Sequence, residues 1–498
     1  MQLFYDLQNS ISSHIERNAF CINGVFYKYS DLAYSISVIR RSIQINIPET
    51  DKVVGLIAND DIESYASIIA LWFEGKAYVP LSPEFPKDRL EKIITQAEIN
   101  TIIDSSDNPL YPGYNQIESK KLLKAEINLT PKEVSGNEIA YLLFTSGTTG
   151  MPKGVPIARA NLSGFVSAFW NMQMKIDKSD RFLQMFELTF DLSVMSYLVP
   201  LLMGACIYTI PKDKIKYSYI YELMEDHKLT VTLMVPSILQ YLRPYFEEID
   251  LPDMKYSLFC GEALPLDITE EWSRCLPNAD IVNVYGPTED TIFCTSYCYN
   301  CKTDYKSHNG ILSIGKAMKG TETVIVGENN EKLTTGKIGE LCLGGIQLTP
   351  GYWKNEEKNK ESFFFINHKD KKERFYRTGD NCIADADGDI LYIGRKDFQI
   401  KVQGFRVELC EIEFHAKTFL EKINVIAVAT ADTIGSTEIC LAIESEEFSC
   451  EPLLDYMKTK LPIYMIPKQI LFIKPFPLNV NGKTDRKKLE QLFNKSLI

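Results

Sequence analysis

The chain has 498 residues, a formal charge of −12 and a pI near 5.2. It is too long for a single core and too acidic for the basic face of a nucleic-acid binder. No run approaches the roughly 18 apolar residues of a membrane span. Met1 to Asn18 lacks a basic stretch followed by an apolar one, so the expectation is a cytoplasmic protein whose scattered cysteines are reduced.

Apolar strand-like runs alternate with amphipathic helical ones along most of the chain. The pattern predicts a strand over Lys52 to Ala58, a helix over Ile62 to Glu74, a strand over Ala77 to Leu81 and a helix over Asp88 to Ala97. Such alternation implies an α/β architecture with largely parallel sheets. Charge density rises after Gly394-Arg395-Lys396-Asp397. Beyond that point the sequence predicts strands at Asn424 to Thr430 and Glu438 to Ile443 and a helix at Pro452 to Leu461, enough for a compact second domain. The expected division is therefore residues 1–396 and 397–498.

Ile139 to Phe144 is an apolar, strand-like run that empties into Thr145-Ser146-Gly147-Thr148-Thr149-Gly150-Met151-Pro152-Lys153-Gly154. Glycines let a backbone approach a polyphosphate, hydroxyls and N–H groups donate to its oxygens, and a lysine neutralises charge. The spacing is not that of a P-loop, which requires a Lys directly after the second glycine and a Ser or Thr after that. Asn283-Val284-Tyr285-Gly286-Pro287-Thr288-Glu289 adds a flat aromatic that could stack on a base, a hydroxyl, and a carboxylate of the kind that holds Mg²⁺. By itself this segment reads equally as a structural Gly-Pro turn. Tyr376 to Asp380 ends a strand-like run on an acid suited to a ribose diol, or to a solvated turn. Lys483 lies on the glycine turn Asn481-Gly482-Lys483.

Cys294, Cys298 and Cys301 have the spacing of an iron–sulfur site. A strand through Thr291 to Thr295 would put Cys294 and Cys298 on one face and Cys301 on the other, so no cluster is expected.

Taken in order, these motifs, with Gly339-Glu340-Leu341 through Gly351-Tyr352 and Gly394-Arg395-Lys396-Asp397, resemble the adenylate-forming (ANL) superfamily, and within it the amino-acid adenylation enzymes. The likeness runs from about Tyr29 to Arg486. It implies a large N-terminal domain of α/β subdomains with a β-barrel-like part, and a small mobile α+β C-terminal domain hinged at Asp397. It also implies ATP and Mg²⁺: a carboxylate first forms an acyl-AMP, which a thiol then attacks. On the resemblance, Lys483 is the catalytic residue. Thr145, Ser146, Gly147, Thr148, Thr149, Gly150 and Lys153 hold phosphates, and Glu289 holds the metal. Gly261, Glu262, Ala263, Asn283, Val284, Tyr285, Gly286, Pro287, Thr288, Asp380, Tyr392, Gly394 and Arg395 complete the nucleotide site.

Asp191 stands where members that activate α-amino acids pair an aspartate with the substrate ammonium. Read alone, it would be an exposed helix cap. The other pocket positions implied by the resemblance are Leu192, Met195, Leu233, Leu258, Cys260, Val284, Ile292 and Phe293, which favour a small aliphatic side chain. Segments around Asp191, Cys260, Asp397 and Tyr464 look most like the D-alanine–carrier-protein ligases, in which a cysteine at the place of Cys260 favours the D-enantiomer. Val284, Ile292, Pro350 and Asn381 depart from that pattern, so L-alanine, L-proline, valine or β-alanine also fit; an acyl- or aryl-CoA ligase is the further alternative. No carrier-attachment serine follows Arg486, so the expected thiol is the phosphopantetheine arm of a separate carrier protein, with Lys396, Lys401 and Arg406 as a candidate docking patch.

Overall fold

The computed structural model describes residues 2–111, 113–147, 150–299, 305–369, 371–421, 423–478 and 484–496. The chain forms two compact units: Met1–Pro83 with Gln96–Leu143 and Gly154–Lys396, and Glu84–Thr95 with Phe144–Lys153 and Asp397–Ile498. The second unit thus takes in two segments from far upstream, one of them the Gly/Ser/Thr loop.

Within the first unit, one sheet runs in the order Lys316–Ala317, Thr295–Tyr299, Asp280–Tyr285, Tyr256–Phe259, Val231–Met234, Arg181–Gln184, Cys206–Thr209, Asn18–Ile22, Val25–Lys28. Its interior pairs are parallel and both ends close with antiparallel strands. A six-stranded sheet contains Val53–Ile57 and Ala77–Leu81, paired in parallel, with Ile139–Thr145 beside the latter. Ala77–Leu81 is buried at every position, as a parallel strand covered on both faces should be. The helix between these strands, Ile62–Phe73, starts where the Asp61 carboxylate accepts the Ser64 N–H at 2.9 Å. The part expected to resemble a barrel is a five-stranded antiparallel sheet built on the long strand Lys371–Ala384.

The second unit has its own apolar core. A three-stranded sheet (Val425–Ala431, Thr437–Ile443, Gln469–Phe472) packs with the helices Leu409–Leu420, Glu451–Lys458 and Arg486–Ser496, and a hairpin pairs Gln399–Val402 with Phe405–Glu408. Observed elements match the predicted ones to within a few residues, because apolar runs of strand or helix length end at polar or glycine-bearing breaks.

One expectation fails. Thr291 to Thr295 is not a strand: Thr288–Asp290 is a 3₁₀ turn, and Thr291 (φ 55°) and Ile292 (φ 73°) are left-handed before the strand starts at Thr295. Cys294 is accordingly buried while Cys298 is exposed, so they do not share a face. Cys301 lies outside the described residues.

Candidate functional site

The acid of the ribose-type motif is not in a turn. Asp380 sits inside Lys371–Ala384, pairs with Arg395 across the strands, and is buried. Its Oδ1 accepts from Arg395 Nη1 at 3.0 Å and its Oδ2 accepts from the Tyr285 hydroxyl at 2.6 Å. Burial, and then the Asp380 charge, hold the Tyr285 hydroxyl well above its usual range, so it remains a donor. Arg395 also donates to the Thr378 carbonyl at 2.7 Å. Tyr285, 95 residues upstream, thereby joins the paired strand of Arg395 in orienting one carboxylate.

Glu289 is 1 % exposed, and its Oε1 accepts from the Tyr352 hydroxyl at 2.6 Å. Tyr352 belongs to the Gly351-Tyr352 motif, which the sequence flags without giving it this role. Close approach explains Gly286: a Cβ there would lie 2.4 Å from the Phe293 Cα.

Other predicted nucleotide residues have structural partners. Asn283 is buried and donates its side-chain amide to the carbonyls of Leu312 and Ser313 at 3.3 and 2.9 Å. The Glu262 carboxylate accepts from the Ser237 N–H and hydroxyl at 2.8 and 3.2 Å, where the helix Ser237–Leu242 begins.

Asp191 is not an exposed cap. It precedes Leu192–Met203 with 4 % exposure and makes no side-chain capping bond. Leu192, Met195, Leu233, Leu258, Cys260, Val284, Ile292 and Phe293 are all buried in one apolar cluster. The Tyr78 and Tyr141 hydroxyls are raised chiefly by burial, and further by the Asp191 charge. Both therefore stay protonated near this carboxylate.

Inside the second unit, the loop after Ile139–Thr145 is held by two carboxylates and a backbone carbonyl. The Gly147 N–H donates to Glu411 Oε2 at 3.2 Å, Lys153 Nζ donates to Glu408 Oε1 at 3.0 Å, and the Ser146 hydroxyl donates to the Arg406 carbonyl at 2.8 Å. Arg89 Nη1 bonds Glu411 Oε1 at 2.7 Å, an ion pair with side chains only 4 % and 0 % exposed. Gly150 is left-handed (φ +70°), and a Cβ there would lie 2.7 Å from Phe414. Arg89, Glu408 and Glu411 carry no local sequence signal of this role. Thr148, Thr149 and Lys483 lie outside the described residues.

Of the proposed docking patch, Lys396 lies in the first unit, 3.6 Å from Glu340, whereas Lys401 and Arg406 belong to the second. Among the described residues, the one clustered acidic group is Asp385, Asp387 and Asp389. Lys306 Nζ stands 2.7, 2.7 and 2.6 Å from those carboxylates, where a cation would sit.

A buried acid backed by an aromatic hydroxyl, a Gly/Ser/Thr loop with lysine, and a carboxylate set in the tight turn after Tyr285 are the groups expected of an adenylate-forming enzyme. Comparison with known proteins agrees. Residues 8–353 match the AMP-binding enzyme model, and the chain belongs to that family.

The chain is 30% identical over 440 residues to the D-alanine--D-alanyl carrier protein ligase of Bacillus licheniformis, covering 85% of this chain and 86% of that protein. It is 30% identical over 480 residues to tyrocidine synthase 1 of Brevibacillus parabrevis, covering 93% of this chain but only 42% of the synthase, so it spans less than half of that relative's length. Its fold matches the Vibrio cholerae adenylation domain AlmE, solved with glycyl-adenosine-5'-phosphate, at a TM-score of 0.84 and 24% identity over 99% of this chain and 98% of that one. No helix among the described residues is long and apolar enough to cross a membrane.

Proposed function

We propose that this enzyme activates a small amino acid as its aminoacyl-AMP and transfers it to the phosphopantetheine thiol of a separate carrier protein in the cytoplasm, with D-alanine the first candidate. In the first step a substrate carboxylate oxygen attacks the α-phosphorus of ATP and the bond to pyrophosphate breaks. In the second, the thiolate attacks the acyl carbon and AMP leaves. No side chain acts as nucleophile, so the protein's work is positioning and charge stabilisation.

The observation that carries the amino-acid reading is Asp191, a carboxylate 4 % exposed at the edge of an apolar cluster. A carboxylate in so dry a setting attracts a cation far more strongly than one in water, and the substrate ammonium is such a cation. The apolar residues around it suit a small aliphatic side chain. Cys260, buried in the same cluster, supports the D-alanine choice; Val284 and Ile292 keep L-alanine, L-proline, valine and β-alanine in the comparison.

Tyr285, Asp380 and Arg395 are assigned to the nucleoside, and Ser146, Gly147 and Lys153 to the phosphates. Lys483 is assigned to the carboxylate and α-phosphate, and Asp397, the first residue of the C-terminal segment, to a hinge. Glu289 is chemically suited to Mg²⁺, since its hard oxygens are buried and oriented by Tyr352. The cation would offset phosphate charge.

Pyrophosphate–ATP exchange measured side by side with D-alanine, L-alanine, glycine, L-proline, L-valine and β-alanine tests the proposal. D-Alanine is expected to give the highest kcat/KM. Absence of exchange with every one of them overturns the amino-acid reading.

A further inference from the structure

The turn Thr291-Ile292 places two β-branched residues in succession at positive φ, 55° and 73°. Each such conformation is unfavourable for a β-branched residue and persists only where the surroundings enforce it. The enforcing group is Gln347. Its side chain is fully buried, and Nε2 donates to the carbonyls of Asp290, Thr291 and Phe293 at 3.2, 3.2 and 2.9 Å. Those carbonyls lie on both sides of Ile292. In return, the Thr291 hydroxyl donates to the Gln347 carbonyl. One amide with two hydrogens thus spans three acceptors and fixes the peptide planes of the whole turn.

What the turn delivers is side-chain direction. Ile292 and Phe293 are 1 % and 0 % exposed and belong to the apolar cluster that also holds Leu192 and Cys260. Phe293 meets Phe165 edge-on at 5.0 Å. Were Thr291 and Ile292 to relax to right-handed or extended backbone, successive side chains would re-aim and this wall would change shape. Clasp and strain therefore serve one end.

We infer that Gln347 is a positioning residue for amino-acid selection: it holds the Thr291-Ile292 turn that presents Ile292 and Phe293 to the substrate's side chain. The inference rests on the proposed reading that Ile292 lines that pocket. Gln347 is fully buried and acts through the backbone of that turn.

Gln347→Met keeps length and burial but removes the donor. Its exchange kinetics are expected to show KM for the preferred small amino acid raised about tenfold, KM for ATP within twofold, and discrimination against a larger aliphatic amino acid reduced about tenfold, the scale of one methylene misplaced in an apolar pocket. Adding Thr291→Gly removes the penalty at the first left-handed position. Gln347→Met/Thr291→Gly should regain at least half of the lost discrimination on a logarithmic scale.

A folded Gln347→Met with unchanged discrimination overturns the inference. So does a double variant that folds without regaining discrimination, or one that, like the single variant, does not fold. If the unmodified enzyme takes only acids lacking an amine, the functional reading fails instead. Discrimination among those acids by chain size then still scores the clasp.

Discussion

Asp380 and Glu411 are both buried carboxylates facing an arginine, at 3.0 Å from Arg395 and 2.7 Å from Arg89 respectively. Around Asp380 the acid is itself the group expected to meet the ligand. Its side chain keeps 10 % exposure, its arginine keeps 19 %, and the Tyr285 hydroxyl holds the other oxygen. Around Glu411 the expected ligand contact is the Gly147 N–H, and the acid already occupies it at 3.2 Å. On the proposed assignments, the Asp380 corner is oriented in advance, whereas the Glu411 corner would exchange partners before a phosphate oxygen could take its donors.

The largest expected effects test whether this difference is real. Glu411→Ala strands Arg89 in the interior and is expected to cost about 3–5 kcal/mol of unfolding free energy, as breaking a buried ion pair does. Asp380→Ala leaves a more accessible arginine and should cost about 1–2 kcal/mol, with nucleotide binding lost instead. Urea unfolding of both variants checks this, and equal losses would erase the contrast.

Asp191 extends the comparison to a carboxylate whose partner is assigned to the substrate. Asp191→Asn keeps shape but removes the charge, and amino-acid-dependent exchange is expected to fall about a hundredfold, the scale of a charge-assisted contact worth about 3 kcal/mol. ATP affinity, measured separately, should hardly move. A similar loss in both would make Asp191 a residue of the fold.

Two buried titratable groups give the units opposite pH dependence. His415, beside Gly150 of the Gly/Ser/Thr loop, is pushed down to about 4 by burial and then by Lys92, Lys460 and Arg89. The unfolded chain, with histidine near 6.5, binds the proton more readily, so this contribution to stability is lost as pH falls from about 6.5 towards 4. Asp290, whose carboxyl meets the Cys294 thiol, is pushed up to about 8 by burial. The native state there holds the proton the unfolded chain releases, so stability falls as pH rises from about 4 to 8. Unfolding free energies across this range should show His415→Phe flattening the acid limb and Asp290→Asn the alkaline one.

How far this was readable from sequence depends on whether the cause is local. Strands such as Ala77–Leu81 and helices such as Ile62–Phe73 are written in apolar runs of strand and helix length and, for the helix, a capping aspartate. The loop at Thr145 to Gly154 is written in its glycines, hydroxyls and lysine. Its partners are not, because Arg89–Glu411 and Gly147–Glu411 join residues 322 and 264 positions apart, and nothing in either neighbourhood encodes the other. The turn at Thr291-Ile292 misleads for a related reason. β-branched residues favour strands, and Gln347, donating to Thr291 from 56 positions away, helps hold them otherwise. Asp191 was legible as a carboxylate in a motif, but its burial depended on the apolar cluster closing around it.

The smallest predicted effect separates the two corners most directly, because it concerns sign. Tyr285→Phe removes a hydroxyl that orients Asp380, so KM for ATP is expected to rise about fivefold, equivalent to roughly 1 kcal/mol. Glu408→Gln acts in the other direction. It takes the negative charge away from Lys153 Nζ, at 3.0 Å, while an amide keeps the acceptor that Gln399 Nε2 uses at 2.8 Å. The lysine then leaves its partner at less cost, and KM for ATP should fall about threefold. If Glu408→Gln raises KM as Tyr285→Phe does, the glutamate helps the loop bind rather than competing for its lysine. The second corner would then be as oriented in advance as the first.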